Sequence, residues 1–239
     1  MPIPLTFFRL LTADQAEWLD ADGSIQRGPL TDLAPQASGA SLILIAPGEA
    51  VTLHRALLPS PKRSTWARAI PYALEDQVAE DIETLHFALS ALPDGAHLPA
   101  AVVAHDALRG WLDRCNQAGL TPTAIVPEPL LLPWREGEWS VLLEPQRVVV
   151  RTGSWEGFAT ERDLLELLLN QALVEAGDAK PQRLRVWGGT LSPLAATDVE
   201  LLREDGPPEP LQWLASSYLP TKVINLLQGA YSRQAHWGR

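Results

Sequence analysis

The sequence predicts an α/β protein in two related halves, each built on a mixed sheet. Three observations predict it. Short apolar runs joined by tight turns open the chain, three more strands with tight turns recur after residue 138, and amphipathic helix patterns follow each set. The order strand, strand, strand, helix, strand therefore occurs in the front half and again in the tail half.

In the front half Leu5–Leu11 is a short apolar run, and Ala16–Asp20 follows a polar break. Ala21-Asp22-Gly23-Ser24 supplies an Asp-Gly turn, which joins hairpin strands because glycine accepts the required backbone twist. Ser41–Ala46 is apolar at nearly every position, as suits a strand covered on both faces, and Pro47-Gly48 end it. Glu49–Leu58 alternates instead, with Val51, Leu53, Arg55 and Leu57 on one face; that pattern fits a sheet edge or a smaller sheet. Ser64 or Thr65 can cap a helix in which Trp66, Ile70, Leu74 and Val78 recur every four residues. Pro71 lies inside that pattern and should kink it, since proline removes a hydrogen bond and crowds the preceding turn. Glu83–Leu92 and Ala100–Ala104 read as strands around Pro93-Asp94-Gly95, and helix His105–Gln117 stops at Gly119.

The tail half begins after strand Thr121–Val126 and a short helix, Glu128–Leu132, pinned between Pro127 and Pro133. Trp139–Leu143, Arg147–Thr152 and Trp155–Ala159 read as strands, and Leu164, Leu165, Leu168 and Leu169 set the apolar side of helix Glu161–Ala176. Strand Arg183–Trp187 runs into Gly188-Gly189, after which the chain thins into polar and proline-rich stretches such as Gly206-Pro207-Pro208-Glu209-Pro210.

Composition narrows the function. The 239 residues are 46% apolar and 20% charged, an ordinary globular balance with enough chain to bury a core. Nineteen basic and 29 acidic residues leave a net charge of −10, spread along the chain. Nucleic-acid binding needs a local basic stripe to displace counterions, and none is present, so nucleic acid is not an expected partner. A single cysteine, Cys115, excludes an intramolecular disulfide and a cysteine-based zinc site. The N-terminus lacks the basic region and cleavage site of a signal peptide. The longest apolar runs, Ser41–Pro47 and Ile125–Trp134 (the latter interrupted by Glu128), fall well short of the ~20 residues that cross a bilayer. The chain as given is expected to be soluble and cytoplasmic.

Enzyme signatures are missing: there is no nucleophile elbow, no zinc-binding HExxH and no Walker-type phosphate loop. His54, His86, His97, His105 and His236 are scattered without metal-ligand spacing, and Asp106 suits the N-terminus of the helix that His105 opens. Cys115 shares a stripe with Leu108, Trp111 and Leu112 and reads as a buried, inert thiol; Arg114 points to another face. No catalytic, metal-ligating or cofactor-binding set is expected. The acidic cluster Glu75, Asp76, Glu80, Asp81 and Glu83 stands out. Were the helix to continue, 76, 80 and 83 would share one side, giving either a solvated face or a docking surface for a basic partner. The site expectation rests on those five carboxylates, with a Trp134–Trp139 corner as a second candidate.

Four spaced blocks then carry a resemblance: Pro71-Tyr-Ala-Leu-Glu-Asp-Gln-Val-Ala-Glu-Asp-Ile-Glu-Thr-Leu-His-Phe87, Pro127-Glu-Pro-Leu-Leu-Leu-Pro-Trp134, Arg151-Thr-Gly-Ser-Trp-Glu-Gly-Phe158 and Ile224-Asn-Leu-Leu-Gln-Gly229. Over essentially its whole length the chain resembles the cytoplasmic region of the type II secretion system protein L (GspL) family. The resemblance implies an actin-like fold of two RNase H-like halves with mixed sheets plus an inserted α/β subdomain. It divides the chain into residues 1–47 and 119–134 for the first half, 48–118 for the insertion, 135–220 for the second half and 221–239 for a juxtamembrane segment. It further implies a single-pass protein of the Gram-negative bacterial inner membrane, its membrane helix beginning after Arg239, with Arg233 and Arg239 on the cytoplasmic side. Implied partners are the N-terminal domain of the secretion ATPase (GspE), secretion protein M (GspM), platform protein F and a second copy of the chain.

Actin-like ATPases hold nucleotide through glycine turns at two hairpins and a Gly-Gly beside the adenosine. Here the first hairpin, Arg9-Leu-Leu-Thr-Ala-Asp14, has no glycine, and the second, Leu143-Glu-Pro-Gln-Arg-Val148, keeps Glu144 but places Pro145 where an amide is needed. Gly188-Gly189 reads equally as a surviving adenosine-side turn and as a plain strand-to-helix turn. A non-enzymatic scaffold that recruits the secretion ATPase is the expected function, with a nucleotide-binding switch as the alternative. A hydrolase needs clustered carboxylates at a sheet centre, and Asp14, Glu17 and Glu144 are not expected to converge.

Overall fold

Two five-stranded mixed sheets with the same strand order organise the computed structural model, which describes residues 4–12, 14–57, 62–191, 198–205 and 209–232. The chain opens as a meander of β1 (Leu5–Leu10), β2 (Gln15–Leu19) and β3 (Ile25–Pro29). The Asp-Gly turn between the last two is held by Asp22, whose carboxylate accepts the Ser24 N–H at 2.8 Å. β4 (Ser41–Ala46) lies parallel to β1, with Leu42 to Ala46 all buried, which is why its sequence is apolar rather than alternating. Next come β5 (Val51–Leu57), α1 (Trp66–Leu74), β6 (Leu85–Leu89) and β7 (His97–Ala104), then α2 (His105–Gln117) and β8 (Ala124–Pro127). β8 closes the first sheet in the order β3-β2-β1-β4-β8, and β5-β7-β6 form a separate antiparallel sheet.

The second sheet repeats the pattern. β9 (Glu138–Leu143), β10 (Arg147–Arg151) and β11 (Gly157–Glu161) form a meander, α3 (Leu165–Ala176) crosses over, and β12 (Arg183–Trp187) and β13 (Glu200–Arg203) return parallel to β9. The order is β11-β10-β9-β12-β13. These are the two RNase H-like sheets of an actin-like fold, as the resemblance implies. α4 (Pro210–Ser216) completes the helices. No described helix is long and apolar enough to cross a membrane.

Strand alternation distributes side chains between cores. Val141, Leu143, Val148 and Val150 face a core closed by Leu165, Leu169 and Leu173 of α3. Their neighbours Leu142, Val149 and Trp187 face the other way, into a large core shared with Phe8, Leu44, Ile125, Leu108 of α2 and Leu214 of α4. Trp187 and Trp213 pack there at a tilt of 43° with ring centroids 4.2 Å apart. Trp66, Ile70 and Leu74 of α1 pack with Leu98 and Val102 in a third core.

Several expectations are corrected. The α1 stripe ends at Leu74; Glu75–Gln77 tighten into a 3-10 turn and Val78 is extended. With Pro71 depriving the helix of one bond, only nine residues stay α-helical, and no ridge aligns 76, 80 and 83. β5 does not keep one face inward: Val51 enters the large core, Ala56 the third core, and Leu57 is exposed, because the strand serves two cores in turn. Leu164 belongs to a 3-10 turn ahead of α3 and is exposed rather than packed. β13 and α4 form where the sequence reads only as polar and proline-rich. Of that stretch, residues 206–208 lie outside the described residues, as do Arg233 and Arg239.

Gly188 has a structural reason. Its φ is +78°, and a Cβ there would sit 2.1 Å from the Leu143 carbonyl oxygen, so only glycine lets the end of β12 pass the β9–β10 turn. This accounts for the glycine without a ligand.

After α4 the chain returns as a strap over residues 223–231. Asn225 imitates a strand: its side-chain oxygen accepts the Ile125 N–H at 3.0 Å, while Leu226 N–H donates to the Ile125 carbonyl at 2.8 Å. Gln228 does the same at β6, accepting from Leu89 N–H at 3.1 Å and donating to its carbonyl at 2.8 Å.

Candidate functional site

The two sheets meet at a cleft of about 470 Å³ whose floor is an ion-pair network. Arg9 projects from β1 and Arg147 from the start of β10, so one arginine comes from each sheet. Glu128, in the 3-10 turn after β8, is fully buried and takes both: Arg9 Nη1 at 2.9 Å and Arg147 Nη1 at 3.0 Å. It also accepts the Gly48 N–H at 3.3 Å. Glu144, on the β9–β10 turn, bridges the same arginines at 2.9 and 2.8 Å. Glu17 of β2 receives Arg9 Nε at 2.6 Å, and Glu49 holds Arg147 through Nε at 2.7 Å and Nη2 at 2.8 Å.

Charge explains how these groups tolerate burial. Desolvation alone would raise the Glu128 carboxyl, but hydrogen bonding and charge from Arg147, reinforced by Arg9, hold it below the ordinary carboxylate range. Burial likewise opposes the charge on both arginines. Glu128, Glu144 and Glu17 keep Arg9 firmly charged, and Glu128 with Glu49 and Glu144 does so for Arg147. Each buried charge therefore has its counterion, the condition under which such groups persist.

This geometry does not suit a nucleotide. The cleft presents Glu49, Glu128 and Glu144 against Arg9 and Arg147, so both cations are already neutralised and the balance is negative. Pro145 lines it where a phosphate-binding turn would offer an N–H. Among the described residues no group of histidine, cysteine or carboxylate side chains is arranged to hold a metal ion.

Glu17 and Glu144 do converge, contrary to the sequence expectation, because Arg9 draws both to one point; Asp14 lines a separate hollow beside Arg114. The five predicted partner residues are all exposed, on the 3-10 turn after α1, on the following loop and on the 3-10 turn Ile82–Thr84. They share one exposed segment but no helix face. Trp139 is buried in the second sheet's core and Trp134 is exposed, so the tryptophan corner reduces to one residue. Cys115 is buried in the large core, its thiol pushed up to about 12 by burial despite the nearby Arg114.

Arg9, Glu49, Glu128 and Arg147 were not among the sequence candidates. The signal for two of them is present in the sequence: Arg9 sits in an apolar strand and Glu128 interrupts an apolar run, and a charge inside such a run implies a buried counterion.

Arg151 has a different solution. It is buried and bonds only carbonyls: Leu130 at 2.6 Å, Leu132 at 2.7 Å, Ser154 at 2.6 Å and Gly153 at 3.0 Å. Burial lowers it to about 10. It ties the turn carrying Glu128 to β10 and thereby steadies the cleft floor.

Comparison with known proteins agrees with this architecture. The family model of type II secretion system protein L matches residues 9–234. The type II secretion system protein L of Dickeya chrysanthemi is 32% identical over 66% of this chain and 42% of its own length; that of Pseudomonas aeruginosa is 28% identical over 94% and 55%. The chain thus spans about half the length of the curated relatives it matches. The solved cytoplasmic domain of EpsL, an inner membrane component of the type II secretion system of Vibrio cholerae, superimposes with a TM-score of 0.78 at 21% identity, covering 95% of this chain and 99% of that one. With its family match running through both sheets and the cleft between them, the chain belongs to the type II secretion system protein L family.

Proposed function

We propose that this chain is a non-enzymatic scaffold of the secretion machinery that recruits the secretion ATPase to the inner membrane and couples it to the assembly. The observation that carries this reading is the cleft: its two arginines are bound by the protein's own carboxylates where a nucleotide's phosphates would need them free. A scaffold of this kind holds a partner by surface complementarity, and it biases the partner only if it binds two of its conformations unequally. The exposed segment carrying Glu75, Asp76, Glu80, Asp81 and Glu83, within the inserted region 48–118, is the proposed contact for the ATPase's N-terminal domain. Its carboxylates favour a basic partner surface. Secretion protein M, platform protein F and a second copy are further proposed partners, and a membrane helix after Arg239 is the proposed attachment to the inner membrane.

The test is a calorimetric titration with the N-terminal domain of the cognate ATPase at two ionic strengths. We expect saturable one-to-one heat, weakened by salt, and at least tenfold lost on reversing Glu80, Asp81 and Glu83 to lysine. Unchanged affinity in that variant would remove the acidic segment from the interface. A nucleotide-responsive switch is the second reading, favoured by a cleft volume in the range of small-molecule sites. Millimolar ATP should leave the melting temperature unmoved; protection by several degrees would establish the switch instead.

A further inference from the structure

We propose that the outer face of α3 docks a basic amphipathic helix of a partner protein, at a surface separate from the acidic segment that follows α1. α3 is apolar on two sides. Leu165, Leu169 and Leu173 face inward and close the second sheet's core. The opposite side carries Leu167 and Val174 and is continued backward by Leu164 of the preceding 3-10 turn; Leu164, Leu167 and Val174 are 46%, 65% and 80% exposed. The spacings from Leu164 to Leu167, Gln171 and Val174 are three, four and three residues, so these positions form one stripe along the helix. Half-buried Leu168 borders it. A surface helix ordinarily puts polar residues on the side facing water, and here leucine and valine occupy it.

The surroundings say what the face takes. Between 161 and 180 the chain carries Glu161, Asp163, Glu166, Glu175 and Asp178 against only Arg162 and Lys180. Arg162 is engaged at the Glu144 carbonyl, 3.0 Å away. An apolar stripe with an acidic rim matches a helix with apolar residues at i, i+3, i+4 and i+7 and lysine or arginine alongside. A second copy of α3 would bring like charges together, and an anionic membrane would be repelled for the same reason. Leu167 and Val174 are the anchors, and Glu166 and Glu175 set orientation and encounter rate.

The experiment uses the full chain and a fluorescein-labelled 18-residue peptide with leucine on one helical face and lysine on its flanks, followed by anisotropy. A matched peptide with glutamate in place of lysine is the control. We expect the lysine peptide alone to bind, Leu167→Ser with Val174→Ser to lose at least tenfold in affinity at unchanged charge, and Glu166→Gln with Glu175→Gln to flatten the salt dependence. Both anchor side chains are mostly in water, so the serine variant should retain its circular dichroism and melting temperature. Val174→Ser alone gives a second reading of the same contact. Equal binding by the serine variant would reduce the effect to charge attraction and overturn the proposal. So would a dimer in sedimentation that the serine variant turns into monomer, because a second copy would then cover the face. Lysine substitutions at Glu80, Asp81 and Glu83 should leave peptide binding unchanged, which separates this surface from the proposed ATPase contact.

Discussion

Glu128 carries a charge at zero exposure: its Oε1 accepts from arginines of two different sheets, Arg9 and Arg147, and its Oε2 from Arg147 and the Gly48 N–H. Glu128→Gln keeps the shape but leaves Arg9 and Arg147 with less countercharge; since Glu17, Glu49 and Glu144 remain, the cost is about 1–3 kcal/mol. The pH dependence has a definite sign. The folded carboxyl titrates below its ordinary 4.5, so its contribution is complete above pH 4.5 and disappears as pH falls through the lower folded value. Urea unfolding should show a wide gap between wild type and variant at pH 7 and a narrower one in acid. A gap that widens in acid would contradict the assigned charge state. At this scale the sequence is partly legible. Arg9 and Glu128 betray themselves as charges within apolar runs, whereas Glu49 and Arg147 sit among polar neighbours, and nothing local marks them as one site. Their meeting is set by the 3-10 turn after β4 and the β9–β10 hairpin, brought together across 98 residues of chain separation.

At the scale of elements, those whose bounds the sequence predicts best are strands and helices with one unambiguous environment. β4, α2 and β12 begin and end where their patterns say, since each has a buried side and a turn or glycine at its end. Misreadings fall where an element serves two masters: β5 passes between two cores, and α1 yields to a 3-10 turn after Pro71. The strap is invisible to periodicity because the side chains of Asn225 and Gln228 complete a pairing to which the backbone contributes only the Leu226 bond to Ile125. Gln228→Ala removes both bonds to Leu89 and should lower hydrogen-exchange protection of the Leu89 amide by roughly tenfold or more. Unaltered exchange there would mean that the strap is held by Val223, Ile224 and Leu226 alone. His86, whose Nε2 lies 2.8 Å from the Leu226 carbonyl, and His105, 2.7 Å from the Tyr231 hydroxyl, have their pKa values lowered chiefly by burial. Burial favours their neutral forms in the fold, so their contribution to stability is complete above pH 6.5 and is lost as pH falls below it.

At the scale of the whole molecule, the repeated strand order made two similar halves legible, but the degree of their fusion was not. Leu142, Val149 and Trp187 of the second sheet lie in the same core as Phe8, Leu44 and Ile125 of the first. α4 follows the second sheet in the chain, yet it packs against β1 and β2. Sequence order alone would leave it with its neighbours; its buried Leu211, Trp213 and Leu214 send it across. We therefore expect one cooperative calorimetric transition, its van't Hoff and calorimetric enthalpies equal. Two separated transitions would mean that the shared core does not couple the halves.

The strap also fixes how the molecule bears tension. A pull on the chain beyond Ser232 reaches Tyr231 and its bond to His105 first, then Gln228 and its grip on β6, then Asn225 and its grip on β8, the edge strand of the first large sheet. The anchor bonds are thus arranged in series along the chain, and release of Gln228 would free the β6 edge of the three-stranded sheet while the cleft stays closed.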